Sequence, residues 1–342
     1  MSETTVPTGE PELVALVRQL NEDLADRSAA FDSKLWAAMT DAELHLIGIP
    51  EEAGGAGGML SDLVATVFEC ARAGAAIPLA ENWLAQSLRA TAGLGARPGV
   101  SICARPAEVE GARASPTASA LAFDGLTWAP HADELLVLEG DAPSSARPTT
   151  SWTTDAAGTR YDLAGQPAGN VSVEREHLGE PVPLAHDELL TLTDLLRTAQ
   201  LGGAIRGCFD LSRGYAAERH QFGVRIDSFP AVQHHLIQLA QAAAITRVSA
   251  FRVVGAIERG GQAAQAARAA RVVANESARV AIRCAHQLHG AIGMTREYPL
   301  ASLTRRLHWW RLVDSDDVPQ SEPGQRTFLK QVWLDTNGVA HS

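Results

Sequence analysis

The apolar residues in the first part of the chain, from Pro11 to about Leu94, recur at the spacing of an α-helix. Residues three and four positions apart lie on one side of a helix, so each such set indicates one buried helix face. Two of these sets are Leu13, Leu16, Val17 and Leu20, then Leu63, Val64, Val67 and Phe68. The pattern predicts an N-terminal helical domain over residues 1–96.

The segment IPEEAGGAGGM, residues 49–59, separates the two helical faces. Proline lacks a backbone donor and glycine loses much conformational entropy in a helix, so helical structure should stop here. A phosphate-binding glycine loop would follow a strand, open a helix and carry a lysine or threonine behind the glycines. These conditions do not hold, and we interpret the segment as a turn that links helices.

Short alternating segments replace the helical pattern from about Arg97 to His186. Examples are SALAFDGLTWA, DELLVLEG and GNVSVERE, which Gly, Pro, Asp and Asn interrupt. Alternation of period two between turn residues is typical of antiparallel strands. The pattern predicts a small central β domain, built as an antiparallel unit, over residues 97–186. Within it, residues 147–165 are predicted to form a hairpin with a loose tip.

Helical spacing returns from about Asp187. The sequence predicts one helix through residues 189–220, one from about Phe229 to Arg259, and one from Ala263 to His289. The last of these helices is rich in alanine and has arginines spaced along its length, which is typical of a helix in a bundle. We predict a C-terminal four-helix bundle over residues 187–342. Helices, then a β unit, then a helical bundle is the order of an α+β fold.

The composition narrows the class of protein. The 342 residues are 46% hydrophobic and 20% charged, which allows a buried core and argues against long disorder. A net charge of −11 argues against a general attraction to nucleic acid or an anionic membrane. The N-terminus lacks the basic start and apolar stretch of a signal peptide, and no apolar run approaches the roughly 20 residues that cross a bilayer. We expect a soluble, cytoplasmic protein, with reduced thiols at Cys70, Cys103, Cys208 and Cys284.

Two stretches of the C-terminal third are more specific than their periodicity. They are residues 215–240, YAAERHQFGVRIDSFPAVQHHLIQLA, and residues 286–306, HQLHGAIGMTREYPLASLTRR. Both resemble the C-terminal signatures of acyl-CoA dehydrogenases, and their order and spacing also match that family. The order of helical, β and helical segments is similar over essentially the whole chain. The resemblance implies an acyl-CoA dehydrogenase-like fold and flavin adenine dinucleotide (FAD) as the cofactor.

The first motif carries residue types that suit the adenosine diphosphate end of FAD. Arg219 offers a planar guanidinium that fits phosphate oxygens better than lysine does. Gln221 can donate a hydrogen bond beside it, Phe222 can lie against the adenine, and Gly223 allows a tight turn. The resemblance implies that Arg219, Gln221 and Phe222 hold this end of the cofactor.

The second motif matches family positions that face the same cofactor across a subunit boundary. By resemblance, backbone at Gln287, Gly290 and Gly293 approaches the pyrophosphate of a neighbour's flavin, and His289 belongs to this motif. The family usually has two successive glycines where this chain has Gly290 followed by Ala291. The extra methyl group departs from the pattern where the backbone should come close to the cofactor.

In this family a carboxylate removes the α-proton of an acyl-CoA while a β-hydride goes to the flavin, and the electrons leave through an electron-transfer flavoprotein. The base of the main branch lies in a Tyr-Glu-Gly-Thr segment, whose glutamate matches Asp314 here. Aspartate is one methylene shorter, and Ser315-Asp316 replaces the Gly-Thr. Reacting groups must be placed to about 1 Å, so catalysis is sensitive to this shorter side chain. The alternative is that Asp314, Asp316 and Asp317 form a solvated acidic loop.

Other family positions depart from the pattern as well. Some members place the base on the long helix, at a position that is Leu196 here, which cannot act as a base. Arg197 matches an arginine found beside the active site, although a salt bridge on the helix face explains it equally well. In the central domain, Thr127 or Trp128 stands nearest to the Trp-Ile-Thr segment that shields the flavin ring. Asp194 and Asp210 are interpreted as caps or surface partners.

We find no convincing metal site in the sequence. The pairs His234–His235 and His286–His289 lack a carboxylate or cysteine at ligand spacing. Trp309–Trp310 is interpreted as a packing element at a subunit interface.

A cofactor motif beside an altered catalytic segment resembles the short subunit of the heterotetrameric α2β2 acyl-CoA dehydrogenases of actinobacterial steroid catabolism. The resemblance implies a second, longer subunit that supplies the catalytic glutamate, and a steroid-derived acyl-CoA as substrate. Two alternatives stay open. The chain is a self-sufficient homo-oligomer that uses Asp314, or it is a structural partner that binds neither flavin nor substrate.

Overall fold

The computed structural model describes residues 12–26, 29–105, 119–139, 143–154, 160–295 and 297–313. The α-helices of these ranges are α1 Glu12–Leu24, α2 Ser33–Asp41, α3 Leu60–Ala73, α4 Leu79–Thr91, α5 His186–Glu218, α6 Pro230–Glu258, α7 Ala263–His289 and α8 Pro299–Leu312. The strands are β1 Ser101–Ala104, β2 Ala120–Thr127, β3 Glu134–Glu139, β4 Ser145–Thr149, β5 Thr153–Thr154, β6 Arg160–Tyr161, β7 Pro167–Glu174, β8 Val182–Pro183, β9 His220–Gln221 and β10 Val224–Arg225. Helices, strands and helices follow one another, which confirms the α+β fold.

The N-terminal helices share one hydrophobic core with the long C-terminal helices. Leu63 of α3 and Trp83 of α4 pack in a cluster with Leu195 of α5 and Val253 of α6. The helical spacing of apolar residues in α1 and α3 is therefore explained by burial against these neighbours. The segment of residues 49–59 forms turns and a short 3₁₀ helix before α3, as predicted.

Two glycines let α3 and α5 cross at close range. A β-carbon at Gly203 would overlap the backbone oxygen of Phe68, and one at Gly207 would similarly overlap the backbone oxygen of Arg72. Gly203 and Gly207 are four residues apart, so both face α3. The contact depends on the absence of side chains at these two positions.

Replacing Gly203 with alanine is expected to lower the free energy of unfolding by about 1–3 kcal/mol, because the helices must separate. This loss should exceed the roughly 1 kcal/mol that alanine contributes in a helix interior. Gly214 lies on the same helix, and no atom comes within 4 Å of the place that a β-carbon would take there, so Gly214→Ala should stabilise. Urea unfolding of both variants measures the difference, and a stabilising Gly203→Ala would contradict the close crossing.

The central strands form two sheets rather than one antiparallel unit. One sheet has the order β1-β3-β4-β8, and the other has β2-β7-β5 with β6 also paired to β7. The antiparallel prediction is wrong for β1 and β3, which pair in parallel. This pairing is possible because β2 crosses to the other sheet. The predicted hairpin of residues 147–165 is also wrong, since β5 and β6 both pair with β7.

A buried ion cluster joins the N-terminal helices to the first sheet. Glu134, at the start of β3, is buried and accepts from Arg89 of α4 at 2.7 Å and from the Ser101 hydroxyl at 3.0 Å. Arg97 approaches the same carboxylate at 3.3 Å. A buried carboxylate needs such partners because desolvation of an unpaired charge is costly.

The long C-terminal helices have the predicted bounds to within a few residues. The helices α5, α6, α7 and α8 pack around alanine, leucine and cysteine side chains, among them Leu201, Ala278 and Leu307. The sequence-based domain boundaries of 96/97 and 186/187 fall between α4 and β1 and at the start of α5, and the division into three domains remains a proposal. None of the helices in the described ranges combines the length and apolar character needed to cross a membrane.

Candidate functional site

A cleft of about 420 Å³ opens between α4, the β1 and β2 strands, the first turns of α5, and the end of α8. Its walls combine apolar and polar side chains. The apolar ones include Leu84, Ile102, Leu126, Leu138, Leu189, Leu190, Leu196 and Trp309, and the polar ones include Glu81, Thr127, Thr193, Asp194, Arg197, Gln200 and Arg268. An apolar pocket with a few converging polar groups is the usual form of a small-molecule site.

Arg197 lies in the cleft and is also part of a salt bridge. Its Nη1 donates to Glu81 Oε1 of α4 at 2.8 Å and to Gln200 Oε1 at 2.7 Å. The salt-bridge interpretation of Arg197 is therefore confirmed, since its ion pair joins α4 to α5. Arg197 also lies beside the cleft, and its place beside an active site stays a prediction. The sequence interpretation missed Glu81, which is distant in the chain and carries no motif.

The acidic residues of α5 lie in different surroundings. Asp194 lines the cleft, whereas the sequence interpretation placed it among caps or surface partners. Asp210 accepts from Arg72 at 2.7 Å and from Arg206 at 3.0 Å, which fits that interpretation. Leu196 lines the cleft with an aliphatic side chain. The long helix thus presents no carboxylate at position 196.

The end of β2 presents Thr127, rather than Trp128, to the cleft. Trp128 is 0% exposed and has a left-handed backbone with φ of 68°, so its ring packs into the core of the sheets. Thr127 lines the cleft, and its hydroxyl lies 3.2 Å from Asp162 Oδ2. Burial raises the pKa of Asp162 above its ordinary value, while the hydrogen bonds from Gln166 and Thr127 lower it.

The C-terminal end of α8 forms the remaining wall. Trp309 and Val313 line the cleft, whereas Trp310 is buried in the core of the bundle. These positions do not match the interpretation of Trp309–Trp310 as one packing element at a subunit interface. The buried guanidinium of Arg271 donates to the carbonyls of Trp310 at 2.6 Å and Val313 at 2.9 Å, which fixes this end. Asp314 follows directly but lies outside the described residues.

The first motif forms a tight hairpin after α5. Strands β9 and β10 pair across Phe222 and Gly223, which have φ of 53° and 82°, as in a type I′ turn. A bulky residue with positive φ is a strained outlier. Phe222 is nevertheless 92% exposed, so its ring does not gain burial within this chain. A strained backbone that leaves an aromatic ring exposed points to a role for this ring in binding a molecule outside the chain.

Two arginines flank this hairpin in different electrostatic surroundings. Arg225 is paired with Asp227, at 3.0 Å between Nη2 and Oδ2. Arg219 is exposed and has no acidic partner among the described residues. Its guanidinium is therefore available to an anion from outside the chain, and Gln221 lies exposed beside it.

The second motif lies at the same end of the bundle as the first. The His289 ring stacks on Tyr215 of α5, with ring centroids 4.6 Å apart, and contacts Tyr298. His289 is 4% exposed and Gly293 is buried, with its missing side chain leaving room for His289 and Leu300. These two residues pack within the chain. Gln287 and Gly290 are exposed, and Gly290 has φ of 61° with open space around it.

The burial of His289 predicts an acid-sensitive fold. Burial lowers the pKa of His289 despite its Nδ1–H donating to the carbonyl of Ala285 at 2.9 Å. The unfolded chain then binds more protons below about pH 6.5, so the free energy of unfolding should fall as pH drops below that value. His289→Gln should make this fall smaller, whereas the exposed His234→Gln should not. Urea unfolding at pH 7.5 and 5.5 measures it, and equal falls in all three proteins would contradict the prediction.

The hairpin and the cleft lie at opposite ends of α5. Leu196 is near the start of this helix and Glu218 is its last residue. With a rise of 1.5 Å per residue, the axial distance between them is about 33 Å. Gln200, the last residue of α5 that lines the cleft, is still about 27 Å from Glu218 along the helix axis.

The residues present fit the two halves of FAD at two separate places in the chain. An exposed guanidinium, an exposed amide and an exposed aromatic ring suit the phosphates and adenine. The cleft offers apolar walls, the indole of Trp309 and the hydroxyl of Thr127 to a flat ring.

Among the described residues, no three His, Cys, Asp or Glu side chains come together as metal ligands. The cysteines Cys70, Cys208 and Cys284 are buried and Cys103 is partly exposed, and all are free thiols.

Two family models match the chain. The model for the acyl-CoA dehydrogenase N-terminal domain matches residues 15–93, and the model for the C-terminal domain matches residues 187–314. Among curated proteins, acyl-CoA dehydrogenase IpdE2 of Mycolicibacterium smegmatis is 27% identical over 283 residues, covering 81% of this chain and 82% of the relative. IpdE2 of Mycobacterium tuberculosis is 28% identical over 290 residues, covering 81% of both chains.

Solved structures share the fold over nearly the whole chain. The Tcur3481–Tcur3483 steroid ACAD superposes with a TM-score of 0.75 at 22% identity, covering 96% of this chain and 98% of the other. The ChsE4–ChsE5 complex of Mycobacterium tuberculosis superposes with a TM-score of 0.72 at 17% identity, covering 97% and 99%. At these identities the likeness shows a common fold.

Proposed function

The chain belongs to the acyl-CoA dehydrogenase family, and we propose that it is the short subunit of a hetero-oligomeric, FAD-dependent acyl-CoA dehydrogenase. In this proposal a longer partner chain supplies the catalytic glutamate. The assembly removes the α-proton and β-hydride of an acyl-CoA thioester, which gives the α,β-unsaturated product.

The observation that carries the need for a partner's glutamate is the aliphatic side chain of Leu196 in the cleft, and the separation of the hairpin from the cleft along α5 supports a flavin site shared between two chains. Since about 33 Å of helix lies between them, the Arg219 hairpin of this chain is available to the FAD whose ring lies in another chain. A chain of this kind is incomplete alone as a flavin site. The exposed guanidinium of Arg219 and the exposed ring of Phe222 support the same conclusion.

The residues of this chain then have distinct roles. Arg219 pairs with the pyrophosphate, Gln221 donates a hydrogen bond, and Phe222 covers the adenine. Gln287 and Gly290, which are exposed at the same bundle end, bring backbone close to the phosphates, while His289 and Gly293 keep that end packed. Bound FAD would supply the acceptor for the hydride.

The cleft of this chain supports a hydrophobic ligand of modest size. Apolar side chains such as Leu84, Leu189 and Trp309 form much of its wall. Arg197, which follows Leu196 in the chain, is paired with Glu81, so its charge is already balanced within the chain. A steroid-derived acyl group is consistent with the steroid ACAD among the structural neighbours.

The other parts of the proposal follow from the family. An electron-transfer flavoprotein would reoxidise the flavin, and the assembly would work in the cytoplasm. The heterotetrameric α2β2 arrangement is supported by the ChsE4–ChsE5 complex, a two-protein assembly of the same fold.

One observation favours a second candidate function. Val313 lines the cleft, and Asp314 is the next residue in the chain. A self-sufficient homo-oligomer would use Asp314 as the base, and its activity would then depend on this carboxylate. The third possibility, a structural partner without flavin, leaves the exposed Arg219 and Phe222 without a role.

Dehydrogenation assays with an artificial electron acceptor separate these candidates. We expect no activity from the lone chain, and activity after co-expression with a longer acyl-CoA dehydrogenase from the same gene cluster. In that complex, Asp314→Asn should keep at least half of kcat, whereas glutamine in place of the partner's glutamate should lower kcat at least a thousandfold. Loss of activity in Asp314→Asn alone, with an active lone chain, would support the homo-oligomer instead.

A further inference from the structure

Thr127 and Asp162 form a hydrogen-bonded pair in the wall of the cleft. Thr127 Oγ1 lies 3.2 Å from Asp162 Oδ2, and Thr127 lines the cleft. A threonine hydroxyl carries one proton and can both donate and accept. The role that it offers to a ligand in the cleft therefore depends on its hydrogen bond with Asp162.

A tight turn between β6 and β7 fixes the orientation of the Asp162 carboxylate. Asp162 Oδ1 accepts from the backbone N–H of Gln166 at 2.9 Å, and the carbonyl of Asp162 accepts from the N–H of Gly165 at 2.9 Å. The N–H of Asp162 donates to the carbonyl of Gln166 at 3.0 Å. Because Oδ1 is already bonded to the backbone, Oδ2 is the oxygen that meets Thr127.

Charged groups from two helices face this carboxylate. Burial raises the pKa of Asp162, its hydrogen bonds lower it, and Glu81 of α4 raises it further. Arg306 of α8 is the opposing cation. Burial lowers the pKa of Arg306 to about 10, and Arg305 lowers it further, while Asp162 acts in the opposite direction. The guanidinium of Arg305 also packs against the turn at Gly165.

We propose that Asp162 is a positioning residue that sets the hydrogen-bonding role of the Thr127 hydroxyl toward a flavin ring in the cleft. The inference rests on the proposed function and adds that a flavin ring also lies in the cleft of this chain, with the adenine end of that FAD held by the hairpin of another chain. With Asp162 ionised, the hydroxyl donates to the carboxylate and presents its lone pairs to the cleft. Two-electron reduction adds N–H groups to a flavin ring, so this arrangement stabilises the reduced form.

Asparagine at position 162 would reverse the role of the hydroxyl. The backbone N–H of Gln166 holds the oxygen of the side chain, so the NH₂ group would take the place of Oδ2 and donate to Thr127. The hydroxyl would then donate its own proton into the cleft, and the reduced ring would lose an acceptor.

The test is the reduction potential of the bound flavin in the co-expressed complex, titrated spectrophotometrically from pH 6 to 9. In Asp162→Asn we expect the equilibrium to shift at least tenfold toward oxidised flavin, about 30 mV for a two-electron couple. Thr127→Val should give a shift of similar size, and the double variant should add little to it, because the residues act as one unit. Thr127→Ser should restore the wild-type potential.

Glu174→Gln is the control, because it removes an exposed carboxylate from β7 of the same sheet, where Glu174 pairs with Ala120 at the end of β2 away from Thr127. It should leave the potential unchanged. Normal flavin content with an unmoved potential in Asp162→Asn and Thr127→Val would overturn the inference and leave the proposed function intact. An equal shift in Glu174→Gln would also overturn it, in favour of a general charge effect. A complex without flavin would contradict the proposed function itself.

Discussion

Replacing Arg219 with alanine in the co-expressed complex is expected to weaken flavin binding about 10- to 100-fold while the chain stays folded. A hydrogen bond to a charged group contributes roughly 1.5–3 kcal/mol, and each 1.4 kcal/mol is a factor of ten in affinity. Arg219 is exposed and has no acidic partner in the described part of the chain, so its removal leaves no buried charge behind. The affinity is measured by fluorescence titration of the flavin-free complex with FAD.

Arg225→Ala is the matched control for this prediction. Arg225 lies in the same hairpin, but Asp227 already occupies its guanidinium at 3.0 Å. We expect its replacement to change flavin affinity less than threefold. Equal losses in the two variants would mean that the hairpin acts only through its net charge. Full affinity in Arg219→Ala would remove the hairpin from the flavin site.

Replacing Glu134 with alanine is expected to lower the free energy of unfolding by about 3–5 kcal/mol, which is the usual loss when one member of a buried ion pair is removed. Glu134 is buried, and its carboxylate accepts from Arg89 and Ser101 and meets Arg97. Without it, two guanidinium groups lose their counter-charge between α4 and the first sheet. Since natural domains have only about 5–15 kcal/mol of stability, this loss is a large share of the total and should lower the urea midpoint clearly.

Glu139→Ala provides the comparison on the same strand. Glu139 is only partly buried and lies 3.9 Å from Arg147, so its loss should cost less than about 1 kcal/mol. Circular dichroism during urea unfolding measures both variants. A cost below 1 kcal/mol for Glu134→Ala would show that the cluster does not hold the first sheet to the N-terminal helices.

The long helices and the cofactor motif could be predicted from the sequence because both depend on local patterns. Helical spacing indicated α5, α6 and α7 to within a few residues, since a core-facing stripe continues for many turns. The pairing of strands within the two sheets was harder to predict. The parallel pairing of β1 with β3 depends on where β2 goes, and alternation within a strand carries no information about its neighbour.

The walls of the cleft could not be predicted because they come from distant parts of the chain. Glu81 and Thr127 meet there only through packing, Asp162 is bonded to Thr127, and none of the three belongs to a contiguous motif. The sequence also left open which of Thr127 and Trp128 faces the cleft, and the left-handed backbone of Trp128 decides it. Similarly, Gly203 is a helix-crossing residue only because α3 passes over it.

The central claim, that this chain completes a flavin site only together with a partner, is tested most directly by native mass spectrometry. The chain is expressed alone and with a longer acyl-CoA dehydrogenase from its gene cluster, and the intact masses show subunits and bound flavin. The account predicts a flavin-bearing complex with two copies of each chain, which appears only on co-expression. A flavin-loaded homo-oligomer of the lone chain would contradict it, and Asp314 would then be the first residue to replace.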